Sequence, residues 1–251
     1  MRIISLSPSS TEILFAIGAG DDVVGVTQNC DYPADALRRQ RFGTWLHAQP
    51  ATIDSVQPDL IVTTSFNPEG LRTYTGHGEV LHLEPTSLSS VLESILILGR
   101  AVGRYQAAEA LVFTMQEQLE DIRNHAPAQQ LLVYCEMWPN PPTQAGQWVP
   151  ELVSIAGGKM IRGQHEQSST PMAVDEIQAA DPDFLVFHWC NRDELFDAER
   201  IRNRPGWLNV RALQENAYAY LPENYLNRPG PRLIDGARQL QAAFKAHQRR
   251  S

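Results

Sequence analysis

Across residues 104–124, Ala108, Leu111, Val112, Met115, Leu119 and Ile122 recur at steps of three and four. Gln106, Glu109, Gln116, Glu117, Glu120 and Asp121 fall between them. That spacing predicts one apolar face on an amphipathic helix. About twenty residues at about 1.5 Å each make a rod of roughly 30 Å, long enough to cross a small domain. Pro127 stops it. The helix lies near the middle of the 251-residue chain, and the sequence repeats one order of elements on its two sides.

In the first half, residues 3–6 read as a buried strand, Thr11-Glu12 opens an apolar-periodic helix, and Gly18 and Gly20 close it. Residues 23–26, 60–63 and 80–83 are further strands, and Ser87 can cap a helix over 88–102. In the second half, residues 131–134 resemble 3–6, and 151–158 parallel 12–19. Pro182-Asp183 precedes a strand as Pro58-Asp59 does, and the chain closes with a strand at 218–220 and a helix over 231–246. The pattern predicts an α/β protein of two Rossmann-like lobes with mainly parallel sheets, joined by a single long helix. The expected divisions are residues 1–103, 104–126 and 127–251.

Composition excludes several classes. The net charge of −8, from 29 acidic and 21 basic residues, argues against nucleic acid or an anionic membrane as a partner. Cys30, Cys135 and Cys190 are odd in number and form no CxxC, so neither a disulfide framework nor a structural zinc site is expected. No apolar run approaches the roughly 18–20 residues that span a bilayer. Met1-Arg2 leads straight into a strand, so the chain is expected to be cytoplasmic or to have had its leader removed. There is no P-loop, GxGxxG or GxSxG.

Open α/β sheets collect ligands at the carboxyl ends of their strands. The residues placed there are Ser7-Pro8-Ser9, Asp31-Tyr32, Ser65-Phe66-Asn67, Glu136-Met137-Trp138 and His188-Trp189-Cys190-Asn191, and Trp45 and Trp148 also fall in expected loops. Aromatics gathered in loops suit a large, partly apolar ligand. The alternative is that each aromatic seals its own core. Ser7, Ser9 and Ser10 read better as helix caps than as nucleophiles. His188 and Cys190 alternate along a strand end and so share a side, which would set two ligands on a metal; a packed histidine and a buried thiol are the other reading.

The segments 5–14, Val24-Gly25-Val26-Thr27, Asp31-Tyr32-Pro33 and Pro58-Asp59-Leu60-Ile61 resemble the substrate-binding proteins of ABC importers for vitamin B12 and siderophores. The resemblance is strongest to the cobalamin-binding proteins, through Gly43-Thr44-Trp45, Asn140-Pro141-Pro142 with Gly146, Gly157-Gly158, and Asn224-Tyr225 with Arg228, Pro231 and Arg232. It implies a non-enzymatic, monomeric binding protein that needs no cofactor and holds a corrinoid between two lobes joined by a rigid helix. It further implies a periplasmic location and an ABC permease as partner. Tyr32 and Trp45 would contact the corrin. Phe66, Trp138, Trp148 and Trp189 are further aromatic candidates from their loop positions alone. Trp138, Trp148, His188, Trp189 and Cys190 depart from the family pattern, so the second lobe is open to a different ligand feature. Asn224 and Tyr225 occupy the positions of an acidic and an aromatic contact, so an amide replaces a charge. Glu69 and Glu199 stand where each lobe offers a carboxylate to the permease. His188 or Cys190 would be the candidates for reaching a metal centre of the ligand. The rivals are a siderophore or haem binder, and a cytoplasmic corrinoid-handling protein or enzyme on the same scaffold.

Overall fold

The protein is described by a computed structural model covering residues 1–44, 46–66, 68–162, 168–190 and 196–250. Trp45, Asn67 and Asn191 lie outside the described residues. The first half contains β1 (Ile3–Ser5), α1 (Pro8–Ala16), β2 (Val23–Val26), β3 (Gln40–Arg41), α2 (Pro50–Asp54), β4 (Leu60–Thr64), β5 (Glu79–Leu83) and α3 (Leu88–Ala101). Its five strands pair in the order β3-β2-β1-β4-β5, all parallel. All five residues of β4 are buried, as a strand covered on both faces requires.

Next comes α4 (Tyr105–Asn124), a single helix of 20 residues. Ala108, Val112, Met115, Leu119 and Ile122 of its apolar stripe are buried and Leu111 is partly so. Residues Met1–Pro85 and Ser89–Met115 form one compact unit; Thr86–Leu88 and Gln116–Ser251 form the other. Helix α4 therefore passes from the first unit into the second after Met115.

The second half contains β6 (Leu131–Pro139), β7 (Pro142–Gln144), α5 (Val149–Ile155), β8 (Gly158–Met160), β9 (Thr170–Pro171), α6 (Val174–Ala180), β10 (Phe184–Phe187), α7 (Ala198–Arg202), α8 (Arg211–Gln214), β11 (Tyr218–Tyr220) and α9 (Leu233–Gln248). The strand order is β11-β10-β6-β7-β9, with β8 also on β6. Strands β8, β10 and β11 run parallel to the pattern of β6, whereas β7 and β9 are antiparallel additions. Here the sequence expectation is corrected. The strand expected over 131–134 continues to Pro139, because a hairpin through Asn140-Pro141 lets β7 pair with its end. Trp138 thus lies in a strand and not in a loop.

The paired Pro-Asp motifs do the same work in both lobes. Asp59 Oδ2 accepts the Arg2 N–H at 2.7 Å, and the Asp59 N–H donates to Arg2 O at 2.8 Å. Asp183 Oδ2 likewise accepts the Leu132 N–H at 2.8 Å, and its N–H donates to Leu132 O at 2.7 Å. Each aspartate thereby locks the entry of a central strand to the start of its neighbour. Gly157 ends α5 at φ +100, and a Cβ there would meet Pro127 Cδ at 2.5 Å, so glycine is required both by backbone and by space. Among the described residues no helix is long and apolar enough to cross a membrane.

Candidate functional site

In a parallel sheet the crevice for a ligand opens where the strand order reverses. In the first lobe that point lies between β1 and β4, from which the chain proceeds outward to β3 on one side and β5 on the other. A buried hydroxyl network floors it. Thr11 Oγ1 donates to Ser5 Oγ at 2.8 Å, Ser7 and Ser9 pair through their hydroxyls at 2.8 Å, and the Ser10 hydroxyl bonds that of Thr64. Cys30 is enclosed in the same network, 3.1 Å from both Thr11 Oγ1 and Thr27 Oγ1. The capping expected of these serines is corrected: Ser7 stands at the N-cap of α1 but makes no side-chain cap hydrogen bond, and Ser9 and Ser10 lie inside the helix, their hydroxyls bonded to Ser7 and Thr64.

Two aromatic side chains stand out from this floor. Tyr32, in the loop after β2, is 49% exposed, and Phe66, just beyond β4, is 53% exposed. Both lie past the carboxyl ends of their strands, and β1 separates those strands in the sheet. With strands about 4.8 Å apart, the two loops leave the sheet roughly 10 Å from each other. Behind Phe66, Thr63 Oγ1 and His82 Nδ1 are 2.6 Å apart, and His82 Nε2 reaches Glu84 Oε1 at 2.9 Å. The carboxylate can only accept, so His82 Nε2 donates to it. Thr63 is fully buried, so this threonine–histidine–glutamate chain fastens β5 to β4, with Glu84 at its exposed end.

The second lobe's reversal lies between β6 and β10, and the protein's own side chains fill it. Glu136 is fully buried and accepts from Arg204 Nη1 at 2.7 Å, Arg204 Nη2 at 3.1 Å, Trp189 Nε1 at 2.9 Å and Tyr134 Oη at 3.2 Å. The Arg204 guanidinium also lies 4.0 Å from the Trp207 ring centroid. Burial raises the Glu136 carboxyl above its ordinary 4.5, against the opposing pull of Arg204, Trp189 and Tyr134. Burial likewise raises the Tyr134 hydroxyl, helped by the neighbouring Glu136 charge.

This arrangement re-sorts the sequence candidates. Trp189 is a buried donor to Glu136, and Trp148 is buried with its indole N–H on Leu226 O at 2.8 Å. Both occupy core positions of the second lobe, as the core-sealing alternative expects. His188 is also enclosed: Asn227 Nδ2 donates to His188 O at 2.9 Å, so Asn227 Oδ1 faces His188 Nδ1 at 2.6 Å and accepts its proton. Cys190 is half-buried. Among the described residues no group of three or more His, Cys, Asp or Glu is arranged to hold a metal ion.

Trp138 is partly exposed, with its indole N–H on Asn140 O at 3.0 Å. Asn224 and Tyr225 lie in a short 3-10 helix, Glu223–Tyr225, just beyond β11. The Asn224 Oδ1 is shielded from water and accepts no hydrogen bond among the described residues. Arg228 is buried against Glu223, with Nη2 at 2.7 Å from Oε1, and Arg232 lies 5.9 Å from the Tyr225 ring centroid. Glu69 and Glu199 are exposed, each in the first turn of a short helix: Glu69–Leu71 and α7. A cavity of about 820 Å³ opens at the opposite, amino ends of β6 and β10, beside Asp183, Arg211 and His247. Arg211 is held there by Asp181, Asp183 and Glu215.

Residues 3–225 match the model of a family described as periplasmic binding protein. The chain belongs to the periplasmic binding protein family. Among its relatives, an uncharacterized ABC transporter substrate-binding lipoprotein, YvrC of Bacillus subtilis, is 28% identical over 95% of this chain and 78% of its own length. A vitamin B12-binding protein of Vibrio cholerae is 26% identical over 99% of this chain and 90% of its own. The solved structure of the Vibrio cholerae periplasmic vitamin B12 binding protein BtuF shares the fold, with a TM-score of 0.80, 24% identity and coverage of 98% and 97%. So does the periplasmic heme-binding protein RhuT of Roseiflexus sp. RS-1 in apo form, with a TM-score of 0.81, 23% identity and 98% coverage of both chains. The two-lobed α/β fold of this periplasmic binding protein is thus one that accompanies more than one tetrapyrrole ligand.

Proposed function

We propose that this protein binds a corrinoid of the cobalamin type, without transforming it, and delivers it to an ABC importer from the outer side of the cytoplasmic membrane. The observation that carries the ligand class is the end-to-end similarity to vitamin B12-binding proteins, 26% over 99% of the chain. The chemistry at the carboxyl ends of the strands supports it. Tyr32 and Phe66 offer apolar faces for a flat macrocycle. Asn224 keeps a hydrogen-bonding amide where the resemblance places an acidic contact, which suits the amide side chains of a corrin. Tyr225 and Trp138 complete the proposed contacts, and Trp45 is retained from the resemblance. No cofactor is required, the chain acts as a monomer, and Glu69 and Glu199 dock the permease.

Haem is the second reading, favoured by the similarity to RhuT. An anionic ligand needs free cations, and Arg228 is already neutralised by Glu223. The test is titration of cobalamin into Tyr32→Ala, Phe66→Ala and Asn224→Ala proteins. Each is expected to weaken binding about tenfold, or about 1.4 kcal/mol, at an unchanged melting temperature. Three variants that all bind like the wild type would remove these residues from the site.

A further inference from the structure

Strand β4 ends in a conformation that its own surroundings do not repay. Ser65 has φ +63, and the Phe66 N–H donates across it to Thr64 O at 2.7 Å. A three-residue turn with a left-handed central residue is the rare, strained γ form. Glycine adopts such a backbone freely, whereas a residue with a Cβ is strained there. The serine hydroxyl gives no return, because Ser65 Oγ is shielded from water and makes no hydrogen bond among the described residues. Everything around the turn is pinned: Ser65 N–H to Leu83 O at 2.8 Å, Thr64 to Ser10, and Thr63 through His82 to Glu84.

What the turn accomplishes is the placement of Phe66. With an ordinary extended Ser65, β4 would continue and Phe66 would fall on the same sheet face as Thr64, which is buried. The turn instead leaves the ring 53% exposed at the reversal between β1 and β4. We propose that Ser65 is the positioning residue for Phe66, its left-handed backbone holding the ring outward as the platform on which the flat face of the ligand packs. This rests on the corrinoid reading above and adds to it the residue through which Phe66 acts.

The experiment compares Ser65→Val, Ser65→Gly, Phe66→Ala and the Ser65→Val/Phe66→Ala double variant in calorimetric titration with cobalamin. Valine keeps the N–H that bonds Leu83 but its branched Cβ opposes a positive φ, while glycine accepts it. Ser65→Val and Phe66→Ala are each expected to weaken binding about tenfold, the double variant no further, and Ser65→Gly to stay within about twofold. Binding by Ser65→Val equal to wild type, or losses that multiply in the double variant, would overturn the assignment. A second readout needs no ligand: acrylamide quenching of a tryptophan introduced by Phe66→Trp, with the emission of the parent protein subtracted. Quenching is expected to fall about twofold when Ser65→Val is added and to persist with Ser65→Gly. Equal quenching in all three backgrounds refutes the positioning role even if the wild type binds no corrinoid, a result that by itself counts only against the function proposed above.

Discussion

Glu136 shows how a residue at a ligand-prone position becomes structural. Its carboxylate meets a bidentate arginine, an indole N–H and a phenol in a fully buried place. Glu136→Leu leaves Arg204 without its partner, and a loss of about 3 kcal/mol in denaturant unfolding is expected. Adding Arg204→Leu should recover much of that loss, since an apolar pair of similar volume needs no counter-charge. The pH dependence has a definite sign. Because the folded carboxyl titrates above its ordinary 4.5, the folded state binds the proton more tightly, and this group's contribution to stability falls as pH rises from 4.5 through the raised value. Asp54 behaves oppositely. The Tyr74 hydroxyl and then the His77 N–H hold it below its ordinary 3.8, so its contribution is present above 3.8 and is lost as pH falls through the lowered value. In Tyr74→Phe, carboxyl NMR titration should move Asp54 back up toward 3.8. Much at this scale was invisible in sequence. Nothing around Arg204 marks it as the partner of a glutamate 68 positions away, and a positive φ at Ser65 has no signature in a non-glycine residue. Trp148 and Trp189 do lie in loops, as expected, but their burial was not legible because their indole partners, Leu226 O and Glu136, are distant in the chain.

Elements were far more legible, because periodicity is a local property. The stripe from Ala108 to Ile122 is the buried face of α4, and Pro58-Asp59 and Pro182-Asp183 mark equivalent strand entries in both lobes. The β6–β7 hairpin escaped detection because its pairing depends on a proline-bearing turn and one short strand, neither of which alternates cleanly. Helix α4 makes the energetic contrast plain. Leu119→Ala, at a buried stripe position, is expected to cost about 2–5 kcal/mol. Phe113→Ala, on the exposed side of the same helix, should stay within about 0.5 kcal/mol. Chemical denaturation of the two variants decides between a helix packed along this stripe and one packed elsewhere.

At the scale of the whole molecule, family membership and fold do not select the ligand, since proteins that bind vitamin B12 and heme share this architecture. In the proposal the choice falls to a few side chains: the exposed rings of Tyr32 and Phe66, Asn224, and an arginine already paired with Glu223. Docking to a permease belongs to the same scale. Reversing the charges with Glu69→Arg and Glu199→Arg should abolish ligand-stimulated ATPase activity of the cognate importer while leaving ligand affinity intact. The central claim is met most directly by isothermal titration of the purified protein with cobalamin and, separately, with haem. Saturable one-to-one binding of cobalamin, at least tenfold tighter than haem, is the predicted result. Tight binding of haem with no heat from any corrinoid would contradict it.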